Sequence, residues 1–135
     1  MPLITWNESY SVKVKSMDAQ HKRWIDLINE LYEAMRVGKG KDILSDTLTK
    51  MLEYGRTHFA AEELLMDKNG YPELKQHQKQ HDAFFEQMDE LSRRQMAGEV
   101  ALTIEVMGSL KDWLVNHIQG VDQRYSDFLN SKGIY

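Results

Sequence analysis

The chain has 135 residues, 41% of them hydrophobic and 28% charged, the make-up of one globular domain rather than two. It contains no cysteine, which excludes disulfides, thiolate metal sites and thiol catalysis. With 17 Lys and Arg against 21 Asp and Glu the net charge is -4, so the basic footprint of a nucleic-acid-binding protein, or of one held on an anionic membrane, is missing.

The first residues, Met1 to Glu8, lack a basic start followed by a long apolar stretch. No run approaches the ~18 apolar residues that would span a bilayer, and a cytoplasmic location is expected. Thr5 to Met17 follow no clear period and read as an N-terminal arm lying over the remainder. From about Asp18 to Arg36, Trp24, Ile28, Leu31 and Met35 recur three and four apart, the spacing of one buried helix face, and Gly38 and Gly40 end the segment. A second segment, about Lys41 to Lys68, steps through Leu44, Leu48, Met51, Gly55, Phe59 and Leu65 and closes at Asn69-Gly70.

Pro72 opens a third segment at a first-turn position, and Leu74, Phe84, Met88 and Leu91 recur until Ala97-Gly98. The fourth runs from about Val100 to Leu129 through Ile104, Met107, Leu110, Leu114, Val121, Tyr125 and Phe128. Period-two strand patterns are absent. Four amphipathic helices joined by short Gly-containing turns predict an all-α fold, an up-down-up-down four-helix bundle with an N-terminal arm, in a single domain over residues 1–135.

The apolar stripes are interrupted in a particular way. All five histidines, His21, His58, His77, His81 and His117, fall within them. The inward steps of the third helix are Leu74, His77, His81, Phe84, Met88 and Leu91, and those of the second carry Glu62 inward beside His58. A buried polar side chain costs a few kcal/mol unless it is satisfied, and a lone buried carboxylate costs more. On a helix, residues four apart share a face, so His77 with His81, and His58 with Glu62, can each hold one metal ion. Asp122 lies five residues past His117, where a regular helix would turn it roughly 140° away. Gly120 between them would ease a local π-type turn, which often marks functional sites.

Five imidazoles and two carboxylates exceed the needs of one tetrahedral zinc and overfill one octahedral ion, so two ions are implied. Imidazole and carboxylate suit iron, manganese or zinc, and spacing alone does not choose among them. Carboxylate-rich di-iron bundles carry Glu-x-x-His motifs, whereas this chain has His-x-x-x-Glu and His-x-x-x-His. Neutral imidazoles donate less negative charge, which favours lower oxidation states and reversible dioxygen chemistry.

These residues resemble a known family. His21 in Asp18-Ala19-Gln20-His21, His58-Phe59-Ala60-Ala61-Glu62-Glu63, His77-Gln78-Lys79-Gln80-His81, and Trp113-Leu114-Val115-Asn116-His117-Ile118 with Asp122 are similar to the hemerythrins, specifically the bacteriohemerythrins. The resemblance implies a non-heme di-iron site: His77, His81 and His117 on one iron, His21 and His58 on the other, Glu62 and Asp122 bridging, with an oxide or hydroxide from solvent completing the bridge. It also implies dioxygen as the ligand, bound reversibly at the two-histidine iron, in a pocket lined by Leu114 with Trp113, Phe59 and Ile118 as neighbours. Glu63 and Met66 also fit the family motif.

The leading expectation is therefore an oxygen carrier, store or delivery module rather than an enzyme. A di-iron enzyme acting on peroxide or nitric oxide, an oxygen or redox sensor, and an iron store are the alternatives. An enzyme would need a further inward acid or base, and none stands out once every histidine is assigned to metal. No partner surface for another protein is legible. The clusters that include Lys39, Lys41, Arg93 and Arg94 read as solvated turns and helix faces.

Overall fold

The computed structural model describes residues 2–99 and 102–135. Among them there is no strand, and the helices form the expected bundle: α1 (Lys15–Arg36), α2 (Lys41–Lys68), α3 (Leu74–Met96), and a fourth rod made of α4 (Ile104–His117), a π turn (Ile118–Asp122) and α5 (Arg124–Ser131). No helix among the described residues is long and apolar enough to cross a membrane.

The turns terminate the helices by local chemistry. Gly38 takes a φ of +75° and its N–H donates to the Met35 carbonyl, while the Lys39 N–H donates to that of Ala34. Gly70, at φ +70°, repeats the pattern with its own N–H on Asp67 and that of Tyr71 on Met66. Both are glycine-terminated helix ends in which the left-handed residue satisfies carbonyls that would otherwise lack donors.

Two boundaries differ from the sequence reading. Helix α1 begins at Lys15, about one turn before Asp18, because Asp18 turns back to the arm: its carboxylate accepts from the Val12 N–H (2.8 Å) and the Ser11 hydroxyl (2.6 Å). Pro72 lies in the turn, one residue outside the N-cap Glu73, and the helix starts at Leu74. The expected start of the fourth helix at Val100 lies outside the described residues. Thr103 caps the rod from Ile104 by accepting the Val106 N–H.

The core runs along the bundle axis through Trp24, Ile28, Leu31, Leu48, Met51, Phe84, Leu91, Met107, Leu110, Leu114 and Leu129, all buried. Ile104 is the exception among the predicted inward residues. It is 70% exposed, and Leu102 and Met107 take the core places on either side of it.

The arm packs as predicted, with Ile4, Val12 and Val14 buried. Asn29 of α1 grips Ile4 through both its N–H (2.9 Å) and its carbonyl (2.8 Å). At its other end Gln123 donates to the carbonyls of Ser9 (2.7 Å) and Ser11 (3.1 Å), Ser126 to that of Val12, and Asn130 to that of Lys13. The arm thus ties the start of α1 to the last rod.

Candidate metal centre

All seven predicted polar residues meet in the bundle interior. His21, His58, His77, His81, His117, Glu62 and Asp122 are each between 1% and 3% exposed. Their donor atoms form two groups: Glu62, His77, His81, His117 and Asp122 in one, and His21, His58 and Glu62 in the other, with atoms within 4.8 Å of one another in each.

The orientation of the two carboxylates relates the groups. Glu62 Oε1 faces His77 Nε2 (2.9 Å) and His81 Nε2 (3.3 Å), and Asp122 Oδ1 faces His77 Nε2 (2.8 Å) and His117 Nε2 (3.1 Å). The other oxygens point the opposite way. Glu62 Oε2 lies 3.5 Å from His21 Nε2 and 3.4 Å from His58 Nε2, and Asp122 Oδ2 lies 3.2 Å from His21 Nε2. Each carboxylate therefore presents one oxygen to each group of imidazoles, an orientation that would let it bridge two cations.

Asp122 reaches this position because the backbone departs from the α-helix. The Gln123 N–H donates to the Ile118 carbonyl at 3.0 Å, an i to i+5 bond, and the widened turn rotates Asp122 back toward His117. Gly120 is less necessary than its place suggests. It does not adopt a positive φ, and an added Cβ would meet nothing within 4 Å. What surrounds the turn is the arm, held by Gln123 and Ser126.

The outward ring nitrogens carry a second pattern, which the sequence reading missed apart from noting Glu63. Gln20 Oε1 meets His58 Nδ1 at 2.7 Å, Glu63 Oε2 meets His81 Nδ1 at 2.8 Å, and Gln80 Oε1 meets His117 Nδ1 at 3.2 Å. Each of these residues adjoins a predicted ligand in sequence and reaches across to a histidine on the next helix. Such an acceptor holds the proton on Nδ1 and leaves the Nε2 lone pair directed inward. A polar residue beside a ligand on the helix flank is the signal that could have found them.

Tyr125 was also missed, having been counted in the apolar stripe. Its buried hydroxyl donates to Glu62 Oε2 at 2.8 Å. Burial, and then the charges of Glu62 and Asp122, push its phenol well above the ordinary tyrosine range, so it remains a donor.

Aromatic rings complete the walls. Phe59 stacks on His81 at a centroid separation of 3.6 Å and 8°, and Trp113 on His117 at 4.6 Å and 10°. Trp24 lies beside His58 and donates its indole N–H to the Met51 carbonyl, a close approach that Gly55 permits. Leu114 and Ile118, on either side of His117, are buried.

The charge balance tests whether a cation fits. Burial alone would raise the carboxyls of Glu62 and Asp122, yet the surrounding imidazoles hold both well below the usual range. Burial likewise opposes charge on His21 and His77, but the Asp122 and Glu62 carboxylates prevail and push both up to about 9. The cavity demands positive charge. His21 Nδ1 and Nε2, His58 Nε2 and both Asp122 oxygens nevertheless lack a hydrogen bond while fully buried, despite the short separations. Buried polar atoms left without partners in one cluster are what a cation would satisfy, and the donor set can hold metal.

The chain is similar to known proteins in sequence and in fold. Residues 12–129 match the family profile described as the hemerythrin HHE cation binding domain. The bacteriohemerythrin of Stenotrophomonas maltophilia (strain R551-3) is 33% identical over 127 residues, 94% of this chain and 82% of its own length. That of Methylococcus capsulatus (strain ATCC 33009 / NCIMB 11132 / Bath) is 32% identical over 132 residues, covering 97% of this chain and all of its own. A crystal structure of wild-type hemerythrin matches with a TM-score of 0.88 and 31% identity, over 93% of this chain and 96% of that one. Bundle, cluster and sequence agree, and the chain belongs to the hemerythrin family.

Proposed function

We propose that the protein binds dioxygen reversibly at a pair of iron ions, His77, His81 and His117 holding one, His21 and His58 the other, and Glu62 and Asp122 both. The observation that supports this most is the two-sided presentation of the carboxylates, one oxygen of each toward each histidine group. Bound iron would supply the electrons for reversible dioxygen binding and an open coordination position to receive it. The chain's own residues do the remainder. Gln20, Glu63 and Gln80 orient three of the imidazoles, and Tyr125 donates to Glu62. In this reading Leu114 lines the dioxygen pocket, with Phe59, Trp113 and Ile118 beside it, and these apolar side chains keep out the water and anions that promote irreversible oxidation. The protein is then a carrier, store or delivery module rather than an enzyme.

The test is metal analysis with an absorption spectrum of the anaerobically reduced protein, repeated after air and after oxygen removal. Two irons per chain and a visible band that appears and vanishes with oxygen are expected. A band that persists after oxygen removal, or a metal other than iron, would count against the reading. Leu114→Ala should speed oxidation of the oxygenated form, and an unchanged rate would mean that Leu114 does not guard the pocket.

A further inference from the structure

The two histidine groups are not supported alike. In the first, His81 Nδ1 is bonded to a carboxylate, Glu63 Oε2, and His117 Nδ1 to the amide oxygen of Gln80, while His77 Nδ1 has no hydrogen-bond partner among the described residues. In the second, His58 Nδ1 has only the amide oxygen of Gln20, and His21 Nδ1 is buried with no partner. The relay in which each helix steadies a histidine on the next runs from α1 to α4 and does not return to α1. A carboxylate on the far nitrogen makes an imidazole a better donor than an amide does, and an unsupported ring is the poorest of the three. The first group also has three imidazoles against two.

We propose that the two metal positions fill and empty in a fixed order, the His77, His81 and His117 position holding its ion more tightly, and that Glu63 is the residue that sets the difference. The inference rests on the two-metal reading above and adds the unequal affinity and its cause. Glu63 acts through His81 and is a positioning residue. Its side chain is 24% exposed, and its Oε2 meets the ring at 2.8 Å. When the weaker position empties, both carboxylates remain to serve the ion that stays, which widens the gap further.

The experiment uses the whole chain loaded with two cobalt(II) ions and challenged with an aminocarboxylate chelator, followed by visible d–d absorption and cobalt content. Release should occur in two steps at least about ten-fold apart, with a one-cobalt species accumulating between them. Its hyperfine-shifted ring N–H signals should come from the His77, His81 and His117 group. Glu63→Gln keeps an acceptor on His81 but removes the charge, and should hasten the slower release about ten-fold, the low end of the effect of losing an outer-shell partner. Gln20→Glu gives His58 a carboxylate and should slow the faster release, narrowing the gap from the other side, which a merely structural role for Glu63 does not predict. This variant also decides the matter should Glu63→Gln fold poorly. Simultaneous release of both ions, or rates unmoved by both substitutions, would overturn the inference while leaving two bound ions intact. A protein that never takes up two ions would overturn the two-metal reading itself.

Discussion

Helix α3 and the fourth rod each carry two residues of the cluster, yet they deliver them by different means. On α3, His77 and His81 are four apart, and an unbroken α-helix projects both inward. On the fourth rod His117 and Asp122 are five apart, and the backbone widens into a π turn to bring them together. The regular pair needs nothing from outside its helix to share a face. The irregular pair sits where the arm is hydrogen-bonded to the bundle, through Gln123 and Ser126. A ligand spacing that matches the helical period is held by the helix itself, and one that does not draws on distant parts of the chain.

Substitutions can set these two arrangements against each other. The largest effect is expected from the proposed iron ligands: His77→Ala should cut the iron content well below two per chain, and Asp122→Ala should do likewise. Undiminished iron in either variant, measured by metal analysis, would falsify the ligand assignment on that helix. Next comes the charge that His77 shares with Asp122. In the metal-free protein the His21 and His77 pKa values are raised from 6.5 to about 9, so their stabilisation is fully present below about pH 6.5 and is lost as pH rises through about 9. Thermal unfolding of metal-free protein should therefore shift to lower temperature between these limits, and a flat profile would show that the imidazoles do not carry the balancing charge.

Smaller effects separate the brace from the turn. Gln123→Ala removes two hydrogen bonds to the arm and should cost about 1 kcal/mol of stability, measured by denaturant unfolding. It should also loosen metal at Asp122 more than Asn29→Ala, which frees only the opposite end of the arm. Equal metal affinity in the two variants would mean that the arm does not support the turn. The smallest change is expected from Gly120→Ala, within about 0.5 kcal/mol, because a Cβ there meets open space at an ordinary φ. A large loss would return the turn to dependence on glycine.

The helices and the seven clustered residues were legible because each histidine and Glu62 occupies a position where the apolar rhythm calls for a core residue. Asp122 was legible as a geometric difficulty, and the π turn is its resolution. Gly120 was credited with easing that turn, but its backbone is one that any residue can adopt. Gln20, Glu63 and Gln80 have partners on the next helix, and hydrophobic periodicity records which face a residue occupies, not what it reaches. Tyr125 escaped for the opposite reason. Its ring belongs in the apolar stripe, and its hydroxyl is a single polar atom at the end of it.

The arm has a consequence for the order of assembly. Gln123 and Ser126 find the carbonyls of Ser9 and Val12 across a sequence separation of 114 residues, whereas the glycine-terminated helix ends close within a few residues. Contacts so far apart carry the higher loop-closure cost and form slowly compared with helices and their turns. The rods can form while the first dozen residues are still free, and the turn that carries Asp122 then lacks the strap hydrogen-bonded beside it. That support comes last, when the beginning of the chain arrives at its end.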